Sequence, residues 1–307
     1  MPHPSHSTDR AILFANPHSG RGRRWLWKIL RQCQLQHIEL AAVHFDVSQA
    51  TVERALQAAE QAGIQAVLVA GGDGTVGTIA AHIVKTPFAL GVIPAGTSND
   101  FARSLDVPMD VAGAVRVIVE GRLATVDVGC AGDRIFAHAA IIGINTDFAR
   151  RAQSLRRWVG RLSYPIAAVE VYRHRKPFEL RVTADGREEH FEAFEAAFVN
   201  APAYGGPLGL EVAEADLVDR HVGVVVVTDM TWKTIALALP NALTHRSLQL
   251  PGIDMFSVRS ARVDTAEPMP MTIDGEIEGS TPATIKSIPA ALQVFVPECF
   301  LARSEVH

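Results

Sequence analysis

Two five-residue apolar runs that stop abruptly in glycine-rich polar loops constrain this chain more than any other feature. Ala66-Val67-Leu68-Val69-Ala70 passes straight into Gly71-Gly72-Asp73-Gly74-Thr75. Residues 89–93, broken by Pro94, pass into Gly96-Thr97-Ser98-Asn99-Asp100. A strand that is apolar without alternation must be covered on both faces, which is the habit of parallel sheets. Helices to cover them are legible between the runs: Val52, Ala55, Leu56 and Ala59 share one face of residues 51–62, and Val76, Ile79, Ala80 and Ile83 share another. Residues 111–120 close the set as a helix, and Ile12-Leu13-Phe14-Ala15 adds a short strand ahead of Asn16-Pro17-His18-Ser19-Gly20. Residues 1–125 therefore read as an α/β domain on a mainly parallel sheet.

From residue 126 to 296 the texture is β-rich. Short runs recur at 125–130, 135–144, 178–183, 193–199, 222–228, 255–263 and 292–296, with helical interruptions near 147–175 and 231–243. That spacing suggests an antiparallel sandwich or barrel. A chain of 307 residues with 48% hydrophobic and 20% charged content supports two such buried cores. The net charge of −4 argues against a nucleic-acid partner, which would call for basic surface. Cys33, Cys130 and Cys299 stand far apart with no CxxC pair, so neither a zinc site nor a disulfide framework is expected. The polar first residues and the lack of an 18-residue apolar stretch place the chain in the cytoplasm by expectation.

Loops that follow strands of an open α/β sheet gather ligands at its carboxyl edge. Gly71, Gly72 and Gly74 let backbone N–H groups approach phosphate oxygens, Thr75 starts a helix, and a helix N-terminus adds partial positive charge. Asp73 would repel phosphate unless a cation lay between them, which points to Mg²⁺. Gly96, Thr97 and Asn99 are candidates for sugar or phosphate contacts, with Asp100 supporting the metal through water; Asn16 and Ser19 belong to a third loop at that edge. Any one of these could be a capped turn. Three together favour a nucleotide site, and it is not a P-loop, since no GxxxxGK[ST] string exists.

Asn16-Pro17-x-Ser19-Gly20, GGDGT at 71–75 and IPAGTSNDFAR at 93–103 resemble the diacylglycerol kinase catalytic family, which includes sphingosine and ceramide kinases. The resemblance continues through Val126-Asp127-Val128-Gly129, Tyr204-Gly205-Gly206 and Ile273-Asp274-Gly275-Glu276. It implies an ATP- and Mg²⁺-dependent lipid kinase with a nucleotide-binding α/β domain, rejoined by the tail at about 297–307, and a β-sandwich lipid-substrate domain. It also implies that Asp73 and Asp100 serve Mg²⁺, that Asp274 is the general base with Glu276 auxiliary, and that Arg103 and Asp127 line the active site. Asp219 matches one acid of a second metal string whose Gly and last Asp are replaced here, so that site is expected to be weak or absent. The usual Asn-Glu pair after GGDGT reads Gly77-Thr78. On a regular strand Asp274 and Glu276, at i and i+2, would face the same side, although Asp-Gly is also a common turn pair.

An NAD kinase-like enzyme shares GGDGT, and a non-catalytic lipid-binding regulatory protein is the reading from another class. The lipid itself and a homodimer both remain open. His138 and His221 read as packed or edge residues, and Trp25 and Trp27 as core or anchoring residues at a helix start.

Between Arg150 and Lys176, eight bases (Arg150, Arg151, Arg156, Arg157, Arg161, Arg173, Arg175 and Lys176) accompany a single acid, Glu170. Trp158, Leu162, Tyr164 and Ile166 interleave with them, a mixture suited to an anionic membrane surface, although charge runs are usually solvated faces. Each base near such a surface contributes roughly 1 kcal/mol. Changing Arg150, Arg151, Arg156 and Arg157 to Ser should weaken binding to anionic vesicles steeply, and most at low salt; unchanged vesicle binding would leave the stretch as a solvated face.

Overall fold

The computed structural model describes residues 9–16, 23–143, 176–204, 210–212, 215–229 and 252–304. It divides into two compact units. Unit 1 comprises Met1–Val128, Leu217–Asp219 and Ile288–His307, and unit 2 comprises Gly129–Asp216 and Arg220–Ser287. The return to unit 1 thus starts at Ile288, ahead of the 297 expected from sequence. The helical interruptions expected near 147–175 and 231–243, Ser19, and Gly205-Gly206 lie outside the described residues.

Unit 1 opens with β1 (Arg10–Ala15), α1 (Arg23–Leu35), β2 (Glu39–His44), α2 (Gln49–Gln61) and β3 (Ala66–Gly71). It continues with α3 (Asp73–Ile83), β4 (Ala89–Pro94), α4 (Asp100–Ser104), α5 (Val111–Glu120) and β5 (Leu123–Ala131), which crosses into unit 2. The sheet order is β2-β1-β3-β4, parallel throughout. Every residue of β3 and β4 is buried, as the apolar runs require, and Val67, Leu68 and Val69 each contribute roughly 1.5–3 kcal/mol relative to exposure. Register aligns the strand ends: Ala15 lies opposite Ala70, and Gly71 opposite Pro94. The loops after β1, β3 and β4 therefore leave from one edge. Trp25 is buried on α1, whereas Trp27 is 71% exposed.

Unit 2 contains β6 (Arg134–Phe136), β7 (Ala139–Ile142), β8 (Phe178–Ala184), β9 (Arg187–Ala193), β10 (Glu195–Val199) and β11 (Ala203–Tyr204). Then come β12 (Leu210–Glu211), β13 (Val222–Val227), β14 (Ile253–Val258), β15 (Ser260–Thr265), β16 (Pro270–Ile273) and β17 (Glu276–Ser280). One sheet runs β14-β13-β10-β7-β16-β17 with antiparallel pairings. The facing layer is built on β15, β8 and β9. Phe136, Phe198 and Val224 meet Leu180, Val263 and Ile285 in the core between the layers. The other side of the first sheet is covered too, with Val212 and Ala215 packed on Ala197 and Val225. The fold is an α/β unit plus an antiparallel β-sandwich. Two expected runs divide: 135–144 into β6 and β7, and 255–263 into β14 and β15, which belong to different sheets. No helix among the described residues is long and apolar enough to cross a membrane.

The last strand, β18 (Ala283–Phe295), pairs with β15 in unit 2, and its end then lies parallel to β4 in unit 1, Val294 opposite Leu90. Helix α6 (Glu298–Ser304) follows, with Phe300 buried and Arg303 donating to the Ser104 carbonyl at 2.9 Å. Asp127, expected to line the active site, is 3% exposed and acts as a tether within unit 1. Its Oδ1 accepts from the Ala290 N–H at 2.7 Å, where Ala290 adopts a φ of 47°, and its own N–H donates to the Leu217 carbonyl at 2.7 Å. Asp127→Ala would take this part-buried acceptor from the Ala290 N–H, so unfolding free energy should fall by about 1 kcal/mol in urea titration. Asp127→Asn keeps an acceptor and should lose less; an unchanged midpoint for Asp127→Ala would show the tether to be dispensable.

Candidate functional site

At the carboxyl edge of unit 1, the loops after β3 and β4 touch backbone to backbone. A Cβ built on Gly96 would lie 2.4 Å from the Gly72 Cα, so no side chain fits at that crossing. The Gly96 N–H donates to Asn99 Oδ1 at 2.8 Å and to the Gly71 carbonyl at 3.2 Å. Gly71 in turn lies under Thr75, where a Cβ would come within 2.6 Å of Thr75 Cβ. The third loop joins through Asn16, whose Nδ2 donates to Thr75 Oγ1 at 3.2 Å. Helix α3 starts at once, with Gly72 at its N-cap and no side-chain capping bond. The N–H groups of its first turn, including Gly74, are thus not claimed by a cap.

The acids of this edge divide their work. Asp73 Oδ1 accepts from the Phe101 N–H at 3.0 Å and so fixes the start of α4. Its Oδ2 has no hydrogen bond or ion pair among the described residues. Asp100 is buried and its Oδ1 pairs with Arg103 Nη1 at 3.0 Å. Asn99, left-handed at φ 53°, uses both ends of its amide on Gly96, so it closes its own loop. Thr97 is exposed at the loop tip. Asp219 is exposed, and among the described residues no group of three His, Cys, Asp or Glu side chains is placed to hold a metal ion. Where the resemblance expects Asn-Glu, Gly77 is buried and Thr78 Oγ1 donates to the Gly74 carbonyl at 2.9 Å.

In unit 2, Asp274 and Gly275 are the two loop residues of the β16–β17 hairpin, with φ of 45° and 94°. Two positive φ values on an Asp-Gly pair are what a tight hairpin turn selects. The expectation that Asp274 and Glu276 share a strand face is therefore corrected: Asp274 is buried, and Glu276 is exposed at the start of β17. The Asp274 carboxylate points into a cradle made by three successive backbone N–H groups. Ala137 donates to Oδ2 at 2.8 Å, and His138 and Ala139 donate to Oδ1 at 2.9 and 3.0 Å. Burial pushes the Asp274 carboxyl above its ordinary value of 3.8, while the neighbouring His138 and the three N–H groups oppose that rise. His138 belongs to this site although its sequence context marked it as a packing residue. Nothing in a strand-like string around residue 138 announces a contact with a turn more than a hundred positions later.

A family model described as the diacylglycerol kinase catalytic domain matches residues 10–131. A second, the YegS C-terminal NAD kinase beta sandwich-like domain, matches residues 139–296, which is more than half of the chain. A diacylglycerol kinase of Staphylococcus carnosus (strain TM300) is 29% identical over 299 residues, 94% of this chain and 95% of its own length. One of Staphylococcus saprophyticus subsp. saprophyticus is 29% identical over 298 residues, again 94% and 95%. A crystal structure of a diacylglycerol kinase from Bacillus anthracis str. Sterne shares the fold, with a TM-score of 0.71 over 95% of this chain and 98% of that one at 21% identity. With unit 1 and unit 2 matched in order along almost the whole sequence, the chain belongs to the diacylglycerol kinase catalytic family and is an ATP-using lipid kinase.

Proposed function

We propose that the chain transfers the terminal phosphate of Mg·ATP to a hydroxyl of diacylglycerol or a related membrane lipid, with Asp274 as the general base. The observation that carries this reading is the Asp274 cradle. A carboxylate fixed at both oxygens cannot rotate away, and burial raises its appetite for a proton. A loop acid kept only for a turn would face water. The names of the Staphylococcus relatives favour diacylglycerol over NAD as the acceptor.

Unit 1 supplies the nucleotide side. Unclaimed N–H groups at the start of α3 suit phosphate oxygens, and the glycines at 71, 72 and 96 keep side chains out of their way. Asp73 fits a magnesium ion through Oδ2, because Mg²⁺ in nucleotide sites takes one or two carboxylates and completes its shell with water and phosphate. When bound, that ion neutralises charge on the phosphates. Asp100, paired with Arg103, braces the loop and the ion's surroundings. Most of the acceleration then comes from positioning and charge stabilisation, with Asp274 taking the hydroxyl proton and Glu276 adding local negative charge. The basic stretch from 150 to 176 would bring the enzyme to an anionic bilayer; only Lys176 of it falls among the described residues.

Asp73→Asn keeps an oxygen for the Phe101 N–H but loses the charge. Turnover with Mg·ATP should drop by about 100-fold or more, with the thermal midpoint within a few degrees of wild type. Asp73→Ala also strips the acceptor and should cost about 1 kcal/mol in addition. A fully active Asn variant would remove Asp73 from the mechanism.

Asp274→Asn should lower kcat about 10²–10⁴-fold. Both carboxylate oxygens accept N–H groups, so the new amide must turn its NH₂ toward at least one donor, and stability should fall by about 1–3 kcal/mol. In wild type, kcat/KM should decline on acidification along a limb above the ordinary carboxylate value, since the base works only when ionised. ADP release is to be followed against a panel of detergent-dispersed lipids with NAD included. A folded Asp274→Asn enzyme keeping more than about a tenth of kcat would sink the assignment, and ADP release with NAD alone would sink the lipid reading.

A further inference from the structure

We propose that His138 is a positioning residue for Asp274, clamping the base's cradle to strand β11 through its imidazole; this rests on the reading of Asp274 as the base. The three donors that grip Asp274 are consecutive, residues 137 to 139, running from the β6–β7 connection into the first residue of β7. A carboxylate is held only as firmly as the backbone that binds it. That backbone is anchored on one side by Asn200 at the end of β10. The Asn200 Nδ2 donates to the Ala137 carbonyl at 3.0 Å, and its N–H donates to the His138 carbonyl at 2.9 Å. The Asp274 N–H completes the loop by donating to the Ala139 carbonyl at 2.9 Å.

The His138 ring supplies a second anchor. Its Nε2 lies 3.0 Å from the Ala203 carbonyl oxygen. A carbonyl can only accept, so Nε2 carries a hydrogen whether the ring is neutral or charged, and the bond survives either state. Ala203 opens β11, a two-residue strand paired among the described residues with the two-residue β12. Such a pair has little stability of its own, so the ring also decides where β11 runs. One residue thus contributes a backbone donor to the base and a side-chain donor to the neighbouring hairpin. Loss of the side-chain bond frees the cradle to tilt, and a misplacement of about 1 Å at a reacting group costs up to 100-fold in rate.

The test compares His138→Phe, which keeps a ring without the donor, with His138→Gln, whose amide nitrogen reaches the same place. His138→Phe should lower kcat with lipid about tenfold while KM for ATP and the thermal midpoint stay near wild type. His138→Gln should recover most of the loss. If the Phe ring proves too large to fold, His138→Met takes its place. Wild-type kcat in the variant without the donor overturns the clamp, and so does a Gln variant as impaired as the Phe one. An equal rise in KM for ATP, or a matching loss of stability in all variants, would reduce His138 to a packing residue. Asp274→Asn is measured in parallel. If it is inactive while His138→Phe is normal, the clamp alone fails; if it is active, the base assignment fails and the clamp with it.

Discussion

A strand buried on both faces can present no polar side chain, and that constraint arranges unit 1. β3 and β4 are buried from end to end, so their chemistry is confined to the residues just beyond them. Parallel register then brings those residues together, since Ala15, Gly71 and Pro94 end at one level. The order β2-β1-β3-β4 sends the chain from β1 to one side and from β3 to the other, and ligands of open α/β sheets lodge at that reversal. What remains is how closely the loops approach. The Gly72–Gly96 crossing sets that distance, because any Cβ there would push the two loops apart.

Unit 2 meets the opposite problem. An antiparallel sandwich does not bring successive loops to one edge as a parallel sheet does, so a buried carboxylate needs its own support. A hairpin turn delivers Asp274, and residues 137 to 139, from the β6–β7 connection into β7, receive it with three N–H groups. The turn accounts for the backbone, since an Asp-Gly pair tolerates the positive φ. The cradle accounts for burial, since a buried carboxylate without donors would be far more costly. Neither element alone would fix the carboxylate; together they hold one side chain from two directions.

Much of this was legible in the sequence, and the residues that were not share physical reasons. β3, β4 and β13 were readable because their apolar runs are unbroken and wholly buried. β2 and β9 were not, and both are sheet edges: β9 is mostly polar and exposed, and the apolar stretch of β2, Leu40 to Val43, is short and nowhere fully buried. The glycine loops stood out in the sequence, and Asn99 and Asp127, expected as ligand or site residues, both hold backbone in the structure. Short polar side chains suit both tasks, and only their partners distinguish them. Asp274 was found through its motif, but its i, i+2 relation to Glu276 was read as strand geometry where a turn intervenes. The cradle lay beyond reach because its members are local in neither spacing nor pattern.

The Gly77-Thr78 replacement bears on how the nucleotide side works. Polar residues at the second turn of α3 could reach toward a ligand at the sheet edge, but Gly77 is buried and has no side chain to offer. Thr78 turns back to the Gly74 carbonyl, and the Thr78 carbonyl is met by His82 Nδ1 at 2.8 Å, so this turn is closed upon itself. In the nucleotide site proposed above, α3 would therefore contribute through its first turn, by backbone N–H groups and by the one carboxylate oxygen of Asp73 without a protein partner among the described residues. Backbone donors at a helix start recognise phosphate rather than base or sugar. In that proposed site the adenosine end would be left to other groups, the exposed Thr97 and the Asn16–Thr75 pair being among the polar side chains of this edge.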